Sequence, residues 1–331
     1  MAKRDQQFEM RKKSQDPSFK RITGNLPAKK YKKTNPTQLR LSFEFSGNST
    51  QFIDIGMALS AINRKLVRQG VYYYVNSVEY YNNENAFVDL HTLPDTWVTR
   101  NAYVRSKAIF DEMNEKVVGN RKSILPKYHD FKVFMNITHK NTGSTAPSLH
   151  GVNSAQSVYG PDEWAYSQLV SADDDGDANQ EADNFYLHML GGHFGDDSNW
   201  DSVGVIKSYA ETRPRPKAGL PEMDSQNAAD PLLNLMDYSS EEQVNDIVTR
   251  LADDNDTTPY DRDAYVGELA NSLQQVARLV TTEQQGRVTT APGFCAPLGL
   301  VCVDPQDTTT AFRVVLNLAP GTYHGVYAER V

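Results

Sequence analysis

The sequence has only two cysteines, Cys295 and Cys302, which excludes a disulfide-stapled scaffold and a four-thiolate zinc ribbon. It has no apolar run near the roughly 20 residues that a membrane-spanning helix needs. The opening residues, Met1-Ala2-Lys3-Arg4-Asp5-Gln6-Gln7, lead into more charge rather than an apolar stretch, so no secretory leader is expected. A Gly-x-Ser-x-Gly turn is absent, as is a Gly-x-x-x-x-Gly-Lys-Ser/Thr phosphate loop. No internal repeat is visible. What remains is 331 residues with 39% hydrophobic side chains, 17 Tyr and 13 Phe. That is enough for one large globular body or two ordinary ones.

Charge is unevenly distributed. Residues 1–40 hold twelve basic side chains (Lys3, Arg4, Arg11, Lys12, Lys13, Lys20, Arg21, Lys29, Lys30, Lys32, Lys33 and Arg40) against Asp5, Glu9 and Asp16, or +9. The remaining 22 basic and 39 acidic residues give −17. The apolar residues of residues 1–38 are isolated, and Pro17, Pro27 and Pro36 interrupt any helix. Such a segment buries too little to offset its ordering entropy, so a disordered arm is expected over 1–38. A basic arm neutralises phosphates and releases their counterions, which gives nucleic-acid binding without sequence preference. Phe8, Phe19 and Tyr31 can stack on unpaired bases. Lys29, Lys30, Lys32 and Lys33 form a candidate nuclear-import cluster.

The body, 39–331, reads as strands with long polar connections. Leu39, Leu41, Phe43 and Phe45 alternate with Arg40, Ser42 and Glu44, the pattern of a half-buried strand. A helix is expected over 54–69, capped by Asp54 and closed by Gly70. Val71–Tyr81 and Ala86–His91, joined by Asn82-Asn83-Glu84-Asn85, read as a hairpin. A second helix is expected over 100–118, with Ala102, Ile109, Met113 and Val117 sharing a face and Gly119 beyond it. Further strands are expected over 131–137, 164–170, 185–190, 202–209, 294–303, 311–318 and 321–326. Residues 269–282 fit a strand or a helix, and 240–251 a short amphipathic helix capped by Ser240. Long loops fall at 140–162, 212–232 and 253–267. Strands without strand–helix alternation point to an all-β fold: a single antiparallel jelly-roll sandwich with two or three short helices.

Catalytic and metal chemistry finds little support. Gly191-Gly192-His193-Phe194-Gly195 lacks a following Lys-Ser/Thr and is flanked by Asp196 and Asp197. His188 and His193 have no third ligand at metal spacing, and His188 reads as a packed residue. Asp173-Asp174-Asp175-Gly176-Asp177 resembles a calcium loop, but Ser171 and Ala182 fall at its first and last ligand positions. Cys295 and Cys302 read as free thiols, although their spacing leaves pairing open. No nucleophile, metal set or cofactor box is assigned, and no enzymatic activity is expected.

Several stretches resemble capsid proteins of eukaryotic viruses with circular, Rep-encoding single-stranded DNA genomes (CRESS DNA viruses), of the unclassified environmental type. They are Ser202–Arg213 with its Glu211-Thr212-Arg213 loop, Glu241–Val244 leading to Asn255-Asp256-Thr257-Thr258-Pro259-Tyr260-Asp261, and Phe294-Cys295-Ala296-Pro297-Leu298-Gly299-Leu300. The resemblance covers mainly 185–303, plus the arm by composition. It implies a jelly-roll subunit that self-assembles into an icosahedral shell, packages circular single-stranded DNA, and passes through the host nucleus to the virion. This arm departs from an arginine-rich one, with eight lysines to four arginines. Loop aromatics (Tyr159, Trp164, Trp200, Tyr238, Tyr260 and Tyr265) are candidate subunit contacts, since aromatics are enriched at interfaces. The partners expected are other copies of the chain, viral single-stranded DNA and nuclear-import machinery, with no membrane. Two alternatives stand beside this reading: a non-capsid single-stranded nucleic-acid-binding protein, and a β-sandwich enzyme.

Overall fold

A computed structural model describes residues 37–119, 126, 128–142, 148–150, 164–170, 184–196, 199–212, 265–269, 272–282, 287–321 and 326–331. The arm, the Asp173–Asp177 stretch and the expected helix over 240–251 lie outside the described residues. The strands are β1 (Arg40–Phe45), β2 (Gln51–Asp54), β3 (Val71–Tyr81), β4 (Ala86–Thr92), β5 (Phe134–Asn136), β6 (Ser148–His150), β7 (Gln168–Val170), β8 (Asn184–Leu190), β9 (Phe194–Asp196), β10 (Asn199–Gly204), β11 (Gln274–Thr281), β12 (Val288–Ala296), β13 (Leu300–Gln306), β14 (Phe312–Leu318) and β15 (Ala328–Arg330). The helices are α1 (Ile55–Asn63), α2 (Trp97–Val118), α3 (Ile137–Thr142) and α4 (Val205–Thr212), with a 3-10 turn at Pro297–Gly299.

Two antiparallel sheets face each other. The first runs β12-β3-β14-β1-β6, with β15 beside the start of β3, and the second runs β11-β4-β13-β2. Leu41, Phe43 and Phe45 point inward from β1 as their alternation predicts, and meet Val88, Leu90, Val301 and Val303 of the second sheet in one buried cluster. Phe45 stacks on Phe312 at 5.0 Å. Each such side chain contributes about 1.5–3 kcal/mol on burial. In β3 the inward set shifts phase, from Val71, Tyr73 and Val75 to Val78 and Tyr80. The extra residue is a bulge beside Asn76, where the pairing to β14 slips between Asn317 and Leu318.

The other face of the second sheet, with Phe52, Leu300 and Cys302, is covered by a third layer. That layer contains the sheet β5-β8-β10-β9, with β7 also on β8, and the helices α2 and α4. Its apolar contacts include Val98, Ala102, Tyr103, Phe110, Leu187, Met189, Ile206 and Tyr209.

The structure corrects several expectations. Among the described residues there are three sheets rather than two, and β8 pairs in parallel with both β5 and β10. β3 and β4 are not a hairpin: β3 lies in the first sheet and β4 in the second. Asn82–Asn85 is a corner, its Asn82 N–H donating to Arg287 O and the Glu84 carboxylate accepting the N–H groups of Thr309 and Thr310. The 294–303 stretch is also broken between sheets. Leu298 and Gly299 turn the chain at φ 57° and 69°, and a Cβ on Gly299 would sit 2.7 Å from the Tyr73 ring. Helix α1 stops at Asn63 because Arg64 takes a left-handed conformation, while Asn63 donates to Leu59 O and Ser60 accepts from Val67 N–H. Gly70 is therefore no cap; a Cβ there would run into the Tyr103 hydroxyl. In α2 the inward face is Val98, Ala102, Tyr103 and Phe110, whereas Ile109 and Val117 are exposed. Residues 205–209 are helical rather than extended, and Ile137 opens α3. Of residues 269–282, Gln274–Thr281 form a strand, β11, rather than a helix.

Candidate nucleic-acid interface

The outward face of the first sheet is polar. Its cross-strand rows follow from the register: Glu44, Arg313, Tyr81 and Val288 in one, then Ser42, Val315, Glu79 and Thr290, then Arg40, Asn317, Ser77 and Pro292. A groove of about 590 Å³ runs over these rows. Gln38, where the described chain leaves the arm, lines one part, and Arg40, Arg287 and Arg313 line others. Val315 is a buried floor residue.

Two of the guanidinium groups are held by carboxylates. Arg40 lies 2.8 Å from Glu79, and Arg313 lies 3.6 Å from Glu44. Glu79 also accepts from the Tyr81 hydroxyl at 2.6 Å and from Asn317 Nδ2 at 2.8 Å. These hydrogen bonds and the Arg40 charge hold the Glu79 carboxyl below its usual range. Arg287 has no ion pair among the described residues. Three arginines and the Tyr81 ring thus line one groove, with Asn82 and Asn83 of the corner on its wall. Guanidinium forks suit phosphate oxygens, and the ring gives a base a surface to stack on.

Of the twelve basic residues singled out from sequence, Arg40 alone is described, exposed and ion-paired. Tyr159, Tyr238 and Tyr260 lie outside the described residues. Tyr265 is buried in the chain's own core, its ring edge-on to Trp97 at 5.7 Å. Trp164 is half-buried, donating Nε1–H to Asp54 at 3.2 Å under the Lys132 ammonium, and Trp200 is half-buried against His193. Trp97, 42% accessible, is an exposed aromatic that the sequence pattern did not single out, as are Tyr128, Phe194 and Tyr327. The position of Trp97 at a helix start gave no signal.

The remaining candidates are structural. His188 is buried, its Nε2–H donating to Gly192 O at 2.9 Å and its Nδ1 2.7 Å from Ser202 Oγ; burial pulls it down to about 4. His193 accepts Gly204 N–H at Nδ1 and lies 3.0 Å from Glu211 at Nε2. Among the described residues no three His, Cys, Asp or Glu side chains converge as metal ligands. Both cysteines are free. Cys302 lies opposite His91 in the β13–β4 register, but burial pushes its thiol to about 12, so it is no thiolate nucleophile.

A buried polar knot ties the third layer to the sandwich. The Asp54 carboxylate caps α1 by accepting Met57 N–H at 3.0 Å, and also accepts from Gln69 Nε2 at 3.0 Å, Trp164 Nε1 and the Tyr166 hydroxyl at 3.4 Å. Gln69 in turn makes both hydrogen bonds of a strand pair with Val133. Burial outweighs these donors and raises the Asp54 carboxyl to about 6.

No family model matches the chain, and neither a curated protein nor a solved structure matches it.

Proposed function

We propose that the protein is the capsid subunit of a small virus with a circular single-stranded DNA genome, built on a jelly roll and binding its genome through the basic arm. The observation that carries this reading is strand order. Eight strands, β1, β2, β3, β4, β11, β12, β13 and β14, form the two facing sheets, leaving aside β6 and β15. Counted one to eight along the chain, one sheet takes the order one, eight, three, six and the other two, seven, four, five. This order supports the two-Greek-key winding of a jelly roll, an architecture shared by viral capsids, lectins and cupins. Fold alone does not separate these. The +9 charge of residues 1–40 and, separately, the arginine-lined groove of the body favour a nucleic-acid partner over a sugar or a metal. Lys3, Arg4, Arg11, Lys12, Lys13, Lys20, Arg21, Lys29, Lys30, Lys32 and Lys33 supply the arm's phosphate contacts, and Lys29–Lys33 also supply nuclear import.

Negative-stain microscopy of the purified full chain, with and without single-stranded DNA, tests this. Uniform round shells carrying nuclease-protected DNA are expected. Monomers or dimers across salt and pH, with DNA present, would overturn the capsid reading; DNA binding by that small form would instead indicate a non-capsid binding protein.

A further inference from the structure

We propose that His139 is an acid-sensitive latch that holds the third layer against the sandwich. Its ring lies nearly flat on Phe52 of the second sheet, with centroids 4.7 Å apart and planes 14° apart. Phe134 and Tyr166 of the third layer meet it edge-on at 5.2 and 5.6 Å. One buried imidazole therefore spans the boundary between the two bodies of structure.

The hydrogen bonds fix its protonation state. His139 Nδ1 accepts Met135 N–H at 3.1 Å, so that nitrogen carries no proton. The proton sits on Nε2, which faces the Tyr166 hydroxyl at 3.4 Å. Met135 cannot turn away easily, because His139 N–H is itself held by Asn136 Oδ1 at 2.8 Å in the same tight turn. An imidazolium would aim a second N–H at Met135 N–H. Phe52 attracts a cation weakly through its face and offers no hydrogen bond.

The neighbouring charges do not rescue the cation. From β2, Asp54 reaches the ring only through Tyr166, and its carboxyl, raised to about 6, loses charge as the acid arrives. From the segments beside β5 and β7 come Asp130 and the Lys132 ammonium, the latter over Trp164. On α3 itself, Lys140 is paired to Asp201. Burial accordingly pulls His139 down to about 3. His188, registered beside Phe134 and near His193, Asp201 and Lys140, is likewise buried neutral in the same layer. Its main constraint is burial, with smaller contributions from His193 and Lys140, since the Ser202 hydroxyl can turn to accept from Nδ1.

Opening the layer frees both imidazoles to titrate near 6.5. A fall from pH 7 to 5 favours the open form by about 25-fold for His139 and about as much for His188, while Asp54 favours the closed form by about tenfold. The net shift is about 60-fold, and without His139 it shrinks to about twofold.

Hydrogen exchange of the full chain at pH 7 and 5, corrected for intrinsic rates, tests the latch. The expected result is exchange about 60-fold faster over 131–142 and 184–190, with 71–81 and 312–318 unchanged. His139→Asn, which keeps an acceptor for Met135, is expected to reduce the rise to about twofold. Unchanged third-layer exchange, or a parallel rise across the sandwich, overturns the proposal. Because that variant can fail to fold, imidazole C2 exchange in the unaltered protein gives an independent reading. His139 titrating near 6.5 while the layer stays protected overturns it equally.

Discussion

Replacing Asp54 by asparagine removes a charge from the centre of the polar knot without changing its size. Four donors converge on this carboxylate, yet burial raises its pKa from 3.8 to about 6. The folded state therefore binds the Asp54 proton more tightly than the unfolded chain. This group adds stability as pH falls from 6 towards 3.8, and withholds it at neutral pH. The full difference corresponds to about 3 kcal/mol, of which about 2.4 separates pH 7 from pH 4. Asparagine has no such titration, but its amide N–H groups face those of Gln69 and Trp164, an offset of about 1–3 kcal/mol that is independent of pH. Urea unfolding of both proteins at pH 4, 5, 6 and 7 isolates the titration, because contributions from His139 and His188 cancel in the difference. Wild type minus variant should grow by about 2–3 kcal/mol from pH 7 to pH 4. Parallel stability curves, with a difference constant to about 0.5 kcal/mol, would refute the assignment of the buried charge.

Gly299→Ala forces a left-handed backbone and a methyl group against Tyr73, so a loss of about 3 kcal/mol is expected in urea unfolding. Arg287→Gln and Arg313→Gln should each reduce the slope of log affinity for poly(dT) against log salt by about one; an unchanged slope removes the groove from the nucleic-acid path. Trp97→Ser should weaken association between copies in light scattering, since the ring is 42% exposed, and should also cost about 1–3 kcal/mol in urea unfolding, because its edge contacts with Tyr209 and Tyr265 are lost.

Elements whose pattern has one meaning were legible in sequence. Leu41, Phe43 and Phe45 alternate without interruption, and β1 lies where they put it. The start of α1 was legible because Asp54 does what an N-cap residue does. Its end was not, because Ser60 and Asn63 stop the helix through tertiary hydrogen bonds, Asn63 also accepting from Gln38 N–H. Residues 205–210 carry helical spacing at Val205, Ile206, Tyr209 and Ala210, but so short a run also reads as strand. The hairpin expectation failed for a general reason: a turn between two β-rich runs does not say whether the chain returns to the same sheet or folds over to the opposite one. The knot of Asp54, Gln69, Val133 and Trp164 joins residues far apart in the chain, and nothing local marks it.

The pairing of β1 with β14 also bears on synthesis. Arg40–Phe45 has β14, residues 312–318, as its long ladder partner, and that segment leaves the ribosome last among the eight sandwich strands. Until then an apolar strand edge stands open, while residues 93–273, between β4 and β11, are being made. Closure of the sandwich is thus a late, non-local event of the kind that slows folding and exposes sticky edges. A ribosome-bound nascent chain ending before residue 312 should therefore be a ready client for holdase chaperones, and should shed them when β14 emerges.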